Sequence, residues 1–208
     1  MPQHGVMARL PSVLDSDDLP IAELCAARLD GELMAIDHGW VPVDEPDHPV
    51  SRAALVALRV PRALIIERLS AAWVHGALPT APRVAQFCVP LSARIAVLND
   101  RRVSVREVRI DVDDIVEVGG HPCTTMVRTA FDLLRDHTLD DGVACDVVAA
   151  LHGVRPDLIE PIRARLDGAV RMPHRSLAVA RLARTEAALR SRDRAPARDG
   201  DDQPSLTR

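Results

Sequence analysis

Apolar residues at helical spacing open the readable part of the chain. Ile21, Leu24, Cys25 and Leu29 follow the cap-rich cluster Asp15-Ser16-Asp17-Asp18 and Pro20, and Gly31 supplies a stop, so a helix is predicted over 20–30. A hairpin comes next: residues 32–36, a turn at Asp37-His38-Gly39, then Trp40-Val41-Pro42-Val43. Pro42 cannot donate to a ladder, which assigns its strand to an edge. Pro46 and Pro49 mark a loop, and a helix rich in Ala, Leu and Val occupies 50–60 until Pro61 ends it. The stretch 63–76 starts extended and continues into a short helix closed by Gly76.

Strands then dominate, at 85–89, 103–110 and 115–118. In the second, Val103 and Val105 share one phase whereas Val108 and Ile110 take the other; a bulge near Arg106-Glu107 would reconcile them. Gly119-Gly120 is a turn signal. The last third is helical. Behind Thr124 or Thr125 as cap, Val127, Ala130, Phe131 and Leu134 fall at i, i+3, i+4 and i+7, the clearest amphipathic stripe in the chain. Val143, Val147, Val148 and Leu151 define the next helix, ended by Gly153. Leu158, Ile162 and Leu166 define a third, ended by Gly168, with Pro161 expected to disturb its first turns. Pro173 opens a fourth that runs to about Arg192, and residues 193–208 are expected to be a disordered tail. This order gives an α+β chain, with a mixed β region packed on C-terminal helices. Val127, Phe131 and Leu134 are expected to share one core with Val108 and Val116.

At 208 residues the chain is one substantial domain or two small ones. No apolar run approaches the ~20 residues that cross a bilayer, and no secretory leader pattern follows Met1. Four scattered cysteines form no disulfide framework; the expected compartment is the reducing cytoplasm. All 26 basic residues are arginine, so compositional bias accounts for the choice of Arg over Lys. Two Trp, two Phe and no Tyr provide little stacking surface for single-stranded nucleic acid. The net charge of −4 hides a gradient, from −6 over 1–60 through −2 over 61–154 to +4 over 155–208. The basic end is either a surface for a partner or an alternating solvated helix face.

Catalytic and metal chemistry find no anchor in the pattern. Cys25, Cys88, Cys123 and Cys145 are far apart; His121 and Cys123 could share one face of a strand, yet no partner pair stands elsewhere at ligand spacing, so neither a metal site nor a cofactor is expected. No nucleophile elbow and no Gly-rich phosphate loop is present. His75 at a helix end is either a general base or a histidine bonding free carbonyls, the second being favoured. Asp132 stands i+4 from Arg128 and three before Arg135, as in a surface ion pair of a few tenths of a kcal/mol. No catalytic residue is assigned and no enzyme activity is expected.

Two segments nevertheless carry a resemblance. Leu-Ser-Ala-Ala-Trp-Val-His-Gly (69–76) follows a helix, hairpin and helix. Farther on, Gly-His-Pro-Cys-Thr-Thr (120–125) leads into Val-Arg-Thr-Ala-Phe-Asp-Leu-Leu-Arg (127–135). Over roughly 18–190 the chain resembles the AbiEi-type antitoxins of type IV toxin–antitoxin systems, in a short form without a C-terminal Vsr-like nuclease domain. The resemblance implies an N-terminal winged-helix-like unit at 15–60 that binds operator DNA, an antitoxin domain at 61–192, and a functional link to a nucleotidyltransferase toxin without required contact. Two departures stand out. Arg9–Leu14 offers no room for a full first helix, so the winged unit looks truncated. The helix aligned with the recognition helix has only Arg28 against Glu23 and Asp30, little for groove reading or phosphate contact. After Arg192 only sixteen residues remain, too few for a nuclease domain.

If double-stranded operator DNA binds, charge points to the other end. From Ile162 to Arg198 ten Arg stand against three acids, a local net of +7. At 100° per residue, Ala178, Val179, Leu182 and Leu189 are placed in an apolar sector and Arg181, Arg184 and Arg192 on roughly the opposite face. The candidate nucleic-acid-binding residues are therefore Arg28, Arg181, Arg184 and Arg192. The alternative function is a family member that has lost DNA binding and acts as a protein-interaction module.

Overall fold

Capping and turn chemistry lay out most elements where the pattern puts them. The computed structural model describes residues 13–36, 39–44, 47–58, 60–93, 100–169 and 171–194. Helix α1 (Ile21–Leu29) begins behind Pro20, and the antiparallel strands β1 (Leu33–Ile36) and β2 (Gly39–Pro42) pair from Leu33 opposite Pro42 to Ile36 opposite Gly39. The expected turn residues Asp37 and His38 lie outside the described residues, as do 1–12, where a first helix was sought. Leu14, Leu24 and Leu33 form a small core of their own. Of the predicted apolar stripe only Leu24 is buried, the single buried residue of α1; Cys25 is exposed, and Ile21 and Leu29 are 56% and 88% exposed, so the rest of the stripe faces outward.

Helix α2 (Pro49–Ala57), with proline in its first turn, leads to β3 (Ile65–Ile66), α3 (Arg68–Val74), β4 (Ala85–Pro90) and β5 (Val103–Val108). A 3-10 turn (Val112–Asp114) then precedes the hairpin of β6 (Ile115–Val118) and β7 (His121–Thr124). The five strands lie in the order β5-β4-β3-β7-β6; β3 runs parallel to β7 and β4 to β5, while the other neighbours are antiparallel. Strand β7 escaped the pattern because it is short and contains Pro122. The expected bulge is absent. β4 and β5 keep one register from Ala85 opposite Val103 to Pro90 opposite Val108, and Ile110 simply falls beyond the strand.

The helices are α4 (Met126–Arg135), α5 (Asp141–Val154), α6 (Ile159–Gly168) and α7 (Arg175–Arg194). Thr125 caps α4 by accepting from Arg128 N, and the Asp140 carboxylate accepts from Gly142 N and Val143 N at the start of α5. Pro161 is harmless at the third position of α6, where a backbone N–H has no intrahelical partner. Asp193 and Arg194, assigned to the tail, still belong to α7; the tail from 195 onward lies outside the described residues.

Two apolar clusters meet at α3. Ala71, Trp73 and Val74 pack with Ile66, Phe87, Val89 and Cys123 of the sheet. Ala72 joins Ala130, Phe131, Leu134, Val148, Leu151 and Ile162 of the helical layer. The fold is α+β, as expected, but the single core is not. Phe131 and Leu134 sit in the helical cluster with Val127 against its edge, whereas Val116 is 39% exposed and Val108 joins neither cluster.

Gly119 shows how tightly the hairpin seats on α2. Its φ is +59°, and a Cβ there would stand 2.6 Å from Val50 Cγ1. Gly120, at φ +79°, faces open space. Gly119→Ala should cost about 2–3 kcal/mol in urea unfolding and Gly120→Ala about 1 kcal/mol, the backbone strain alone.

Candidate functional site

β3 runs straight into a charged residue with nowhere to go. Glu67 is wholly buried between β3 and α3, and the next residue, Arg68, turns the chain at φ +46°, a conformation that side chains other than glycine seldom adopt. β5 supplies the partner, because its pairing with β4 sets Arg106 beside Cys88. Arg106 grips the Glu67 carboxylate at both oxygens, Nε to Oε1 at 2.5 Å and Nη2 to Oε2 at 2.6 Å. Arg68 adds Nε to Oε1 at 3.1 Å and reaches across to Asp136 Oδ2 at 2.6 Å.

From there the charges alternate into the helical layer. Arg106 Nη2 donates to Asp132 Oδ2 at 3.2 Å, and the same oxygen accepts from Arg128 Nε at 2.8 Å. Arg128 Nη1 donates to Asp114 Oδ2 at 2.7 Å and its Nη2 to the Arg109 carbonyl at 3.1 Å. Arg165 of α6 completes the chain by donating to both Asp114 oxygens. The Arg128–Asp132 pair is thus buried, not the surface pair that its i,i+4 spacing suggested. Burial works to raise the Asp114 pKa, but the hydrogen bonds from Arg165 and Arg128 outweigh it and hold the carboxyl below the usual aspartate range. Asp136 is likewise held low: its bonds from Thr138 and Arg68 overcome burial.

Nucleophilic chemistry is quenched where, among the described residues, a cysteine meets a histidine. Cys123 Sγ lies 3.8 Å from His75 Nε2, but that nitrogen donates to the Thr124 carbonyl at 2.7 Å and so cannot take a thiol proton. Burial pushes the Cys123 thiol up to about 12 and pulls His75 down, leaving both groups neutral. His75 therefore bonds a carbonyl, though one of β7 and not of its own helix. Cys88 is likewise pushed far up by burial and then by Glu67. Among the described residues no three His, Cys, Asp or Glu side chains are grouped to hold a metal.

Of the four arginines assigned to nucleic acid, Arg181 is misplaced. Its side chain is 2% exposed, and it donates to the carbonyls of Leu133, Leu134, Asp136 and Leu139 at 2.5 to 3.3 Å and to Asp141 Oδ1 at 2.8 Å. It caps the end of α4, whose last carbonyls have no intrahelical donor. Ala178, Leu182 and Leu189 fix the centre of the α7 apolar face, and at 100° per residue Val179 and Arg181 flank that centre, each about 80° away, so Arg181 borders the apolar face and does not stand opposite it as expected. The free carbonyls select the Arg181 side, and Val179 is left 42% exposed. Arg184 is outward and lies 3.3 Å from Asp141; Arg192 and Arg28 are exposed. The three are not brought together into one patch by any described contact. The network of Glu67, Arg106, Asp114 and Arg165 was not foreseen, since its members are spaced irregularly; the Arg128/Asp132 spacing was its one local sign.

No family model matches the chain, and no curated protein matches it. Among solved structures it is similar to the crystal structure of the Rv2827c protein from Mycobacterium tuberculosis, at 17% sequence identity and a TM-score of 0.43, covering 86% of this chain and 76% of that one.

Arg106→Ala, which strands Glu67, should destabilise by about 3 kcal/mol, and Arg181→Ala by a similar amount, both read as a fall in the urea midpoint. Acid should act in two stages. His75, lowered in the fold by burial, stays neutral there while the unfolded chain protonates, so stability declines as pH falls below about 6.5. Asp114 and Asp136, also lowered, contribute stability that is full above about pH 3.9 and disappears as pH falls through their folded values. Urea midpoints measured against pH should show both steps, and His75→Gln should shrink the upper one, to which His121, also lowered by burial, contributes as well.

Proposed function

We propose that the chain is an AbiEi-like antitoxin and transcriptional regulator of a type IV toxin–antitoxin operon, a cytoplasmic, non-enzymatic protein that binds operator DNA and counteracts a nucleotidyltransferase toxin. One observation carries this. The two segments that bear the resemblance, 69–76 and 120–135, are far apart in sequence yet pack on each other through α3, β7 and α4, joined by the His75–Thr124 hydrogen bond. Thr125, Arg128 and Asp132 go into capping and internal ion pairs, as suits a scaffold whose activity is recognition. The small α1–β1–β2 unit ahead of them has the order of a winged-helix remnant.

The outward face of α1 favours the alternative function, a protein-interaction module. Where a groove-reading helix would present donors, this one presents Ile21, Cys25 and Leu29. An electrophoretic mobility shift with the protein's own upstream DNA separates the two. Arg184→Ala combined with Arg192→Ala should weaken affinity more than Arg28→Ala, and each lost phosphate contact should flatten the salt dependence by about one unit. The opposite ranking returns DNA binding to the N-terminal unit. No shift with the wild-type protein favours the protein-interaction module.

A further inference from the structure

Arg135, the last residue of α4, carries a guanidinium that the buried network leaves short. Its side chain is 27% exposed, its Nε is buried without a hydrogen-bond partner, and its one ion-pair contact among the described residues is Nη1 at 3.6 Å from Asp132 Oδ1. That is too long for a hydrogen bond. Asp132 Oδ2 is already taken by Arg106 and Arg128, and its Oδ1 stands beyond hydrogen-bond reach of Arg135. The surroundings are cationic. Arg106 and Arg165 are 36% and 30% exposed, and Arg135 and Arg165 both lie over the Phe131 ring, at 5.1 and 4.7 Å from its centroid. Arg106, Arg128, Arg135 and Arg165 stand against Glu67, Asp132 and Asp114, so the cluster carries one positive charge in excess.

A guanidinium whose Nε is cut off from water without a hydrogen bond is costly, and in a folded protein such a group ordinarily has a partner. Burial first, and then the charges of Arg128, Arg106 and Arg165, pull the Arg135 pKa down against the opposing effect of Asp132, the direction expected of a cation that lacks its anion. We propose that Arg135, flanked by Arg165 and Arg106, is the binding site for a phosphate-type oxyanion. Arg135 supplies the hydrogen-bond fork, whose planar donors match an oxyanion edge. Arg165 and Arg106, already held by Asp114 and Glu67, supply the positive field and a fixed frame. Inorganic phosphate and the phosphodiester of a nucleic acid offer the same chemistry. The site uses none of Arg28, Arg184 or Arg192, so it stands apart from the operator-binding proposal.

The full chain is titrated with sodium phosphate, and separately with sodium chloride at matched ionic strength, following Tm and the heat of binding. Phosphate at saturation should raise Tm by roughly 4 °C where chloride does not. Arg135→Gln should abolish that increment, and in phosphate-free buffer its Tm should equal or exceed that of the wild type, because it removes an uncompensated cation. Arg135→Lys keeps the charge but not the fork, and should weaken phosphate binding roughly tenfold. A short duplex oligonucleotide forms the remaining arm: Arg135-dependent protection by the duplex identifies a phosphodiester, and protection by phosphate alone a small phosphate ligand. Equal Tm in phosphate and chloride, with no protection by the duplex, would overturn the site. So would an increment that survives in both variants, and a lower phosphate-free Tm for Arg135→Gln would remove the unpaired charge on which the site rests.

Discussion

A carboxylate with no exposed surface, at the junction between a strand and the helix that follows it, governs how this protein is put together. Glu67 is tolerable there only because Arg106 meets both of its oxygens and Arg68 adds a third bond. Meeting it takes the Arg106 side chain of β5 across β4 to the end of β3. The second hydrogen bond of Arg106, to Asp132, ties that sheet to α4, and Arg128, Asp114 and Arg165 carry the alternation on to the 3-10 turn and α6. One chain of opposite charges therefore sets the register between layers whose apolar contacts, being non-directional, would allow several. An ion chain of this kind is worth little over a well-packed apolar replacement, but each member becomes indispensable once the others are buried.

The same logic explains Arg181. At the end of helix α4 backbone donors are few: Asp136 N reaches the Leu133 carbonyl and Leu139 N that of Asp136. A single guanidinium from α7 supplies five bonds there and docks the last helix in doing so. The cation predicted to meet DNA is consumed in holding two helices together, and the basic C-terminal region is correspondingly less available to a partner than its net charge suggests.

Charge inside the fold and surface outside it divide the functional possibilities. The carboxylates of the central network are paired with arginines and the Cys88 and Cys123 thiols stay protonated, so these groups are occupied with structure. What remains for recognition is a set of separate features: the apolar face of α1, the outer arginines of α7, and the half-exposed guanidiniums around Phe131. The proposed operator binding, the alternative protein contact and the proposed oxyanion site would each draw on a different one.

By itself the sequence determined what depends on neighbours a few residues apart. Helical and strand periods, the Thr125 and Asp140 caps, the Gly119-Gly120 turn and the α+β order are set by local propensity and side-chain phase, and they can be read off one segment at a time. Strand β7 was hidden because four residues with a proline carry no period. Tertiary structure alone decided the direction of Arg181 and the burial of Asp132, because periodicity places an arginine beside an apolar stripe equally well on either side. It also decided that most of the stripe of α1 faces out and that the core divides in two around α3. The central network joins residues from 67 to 165, each brought to the others by strand pairing or helix packing, and no local pattern encodes a partner that lies across the fold.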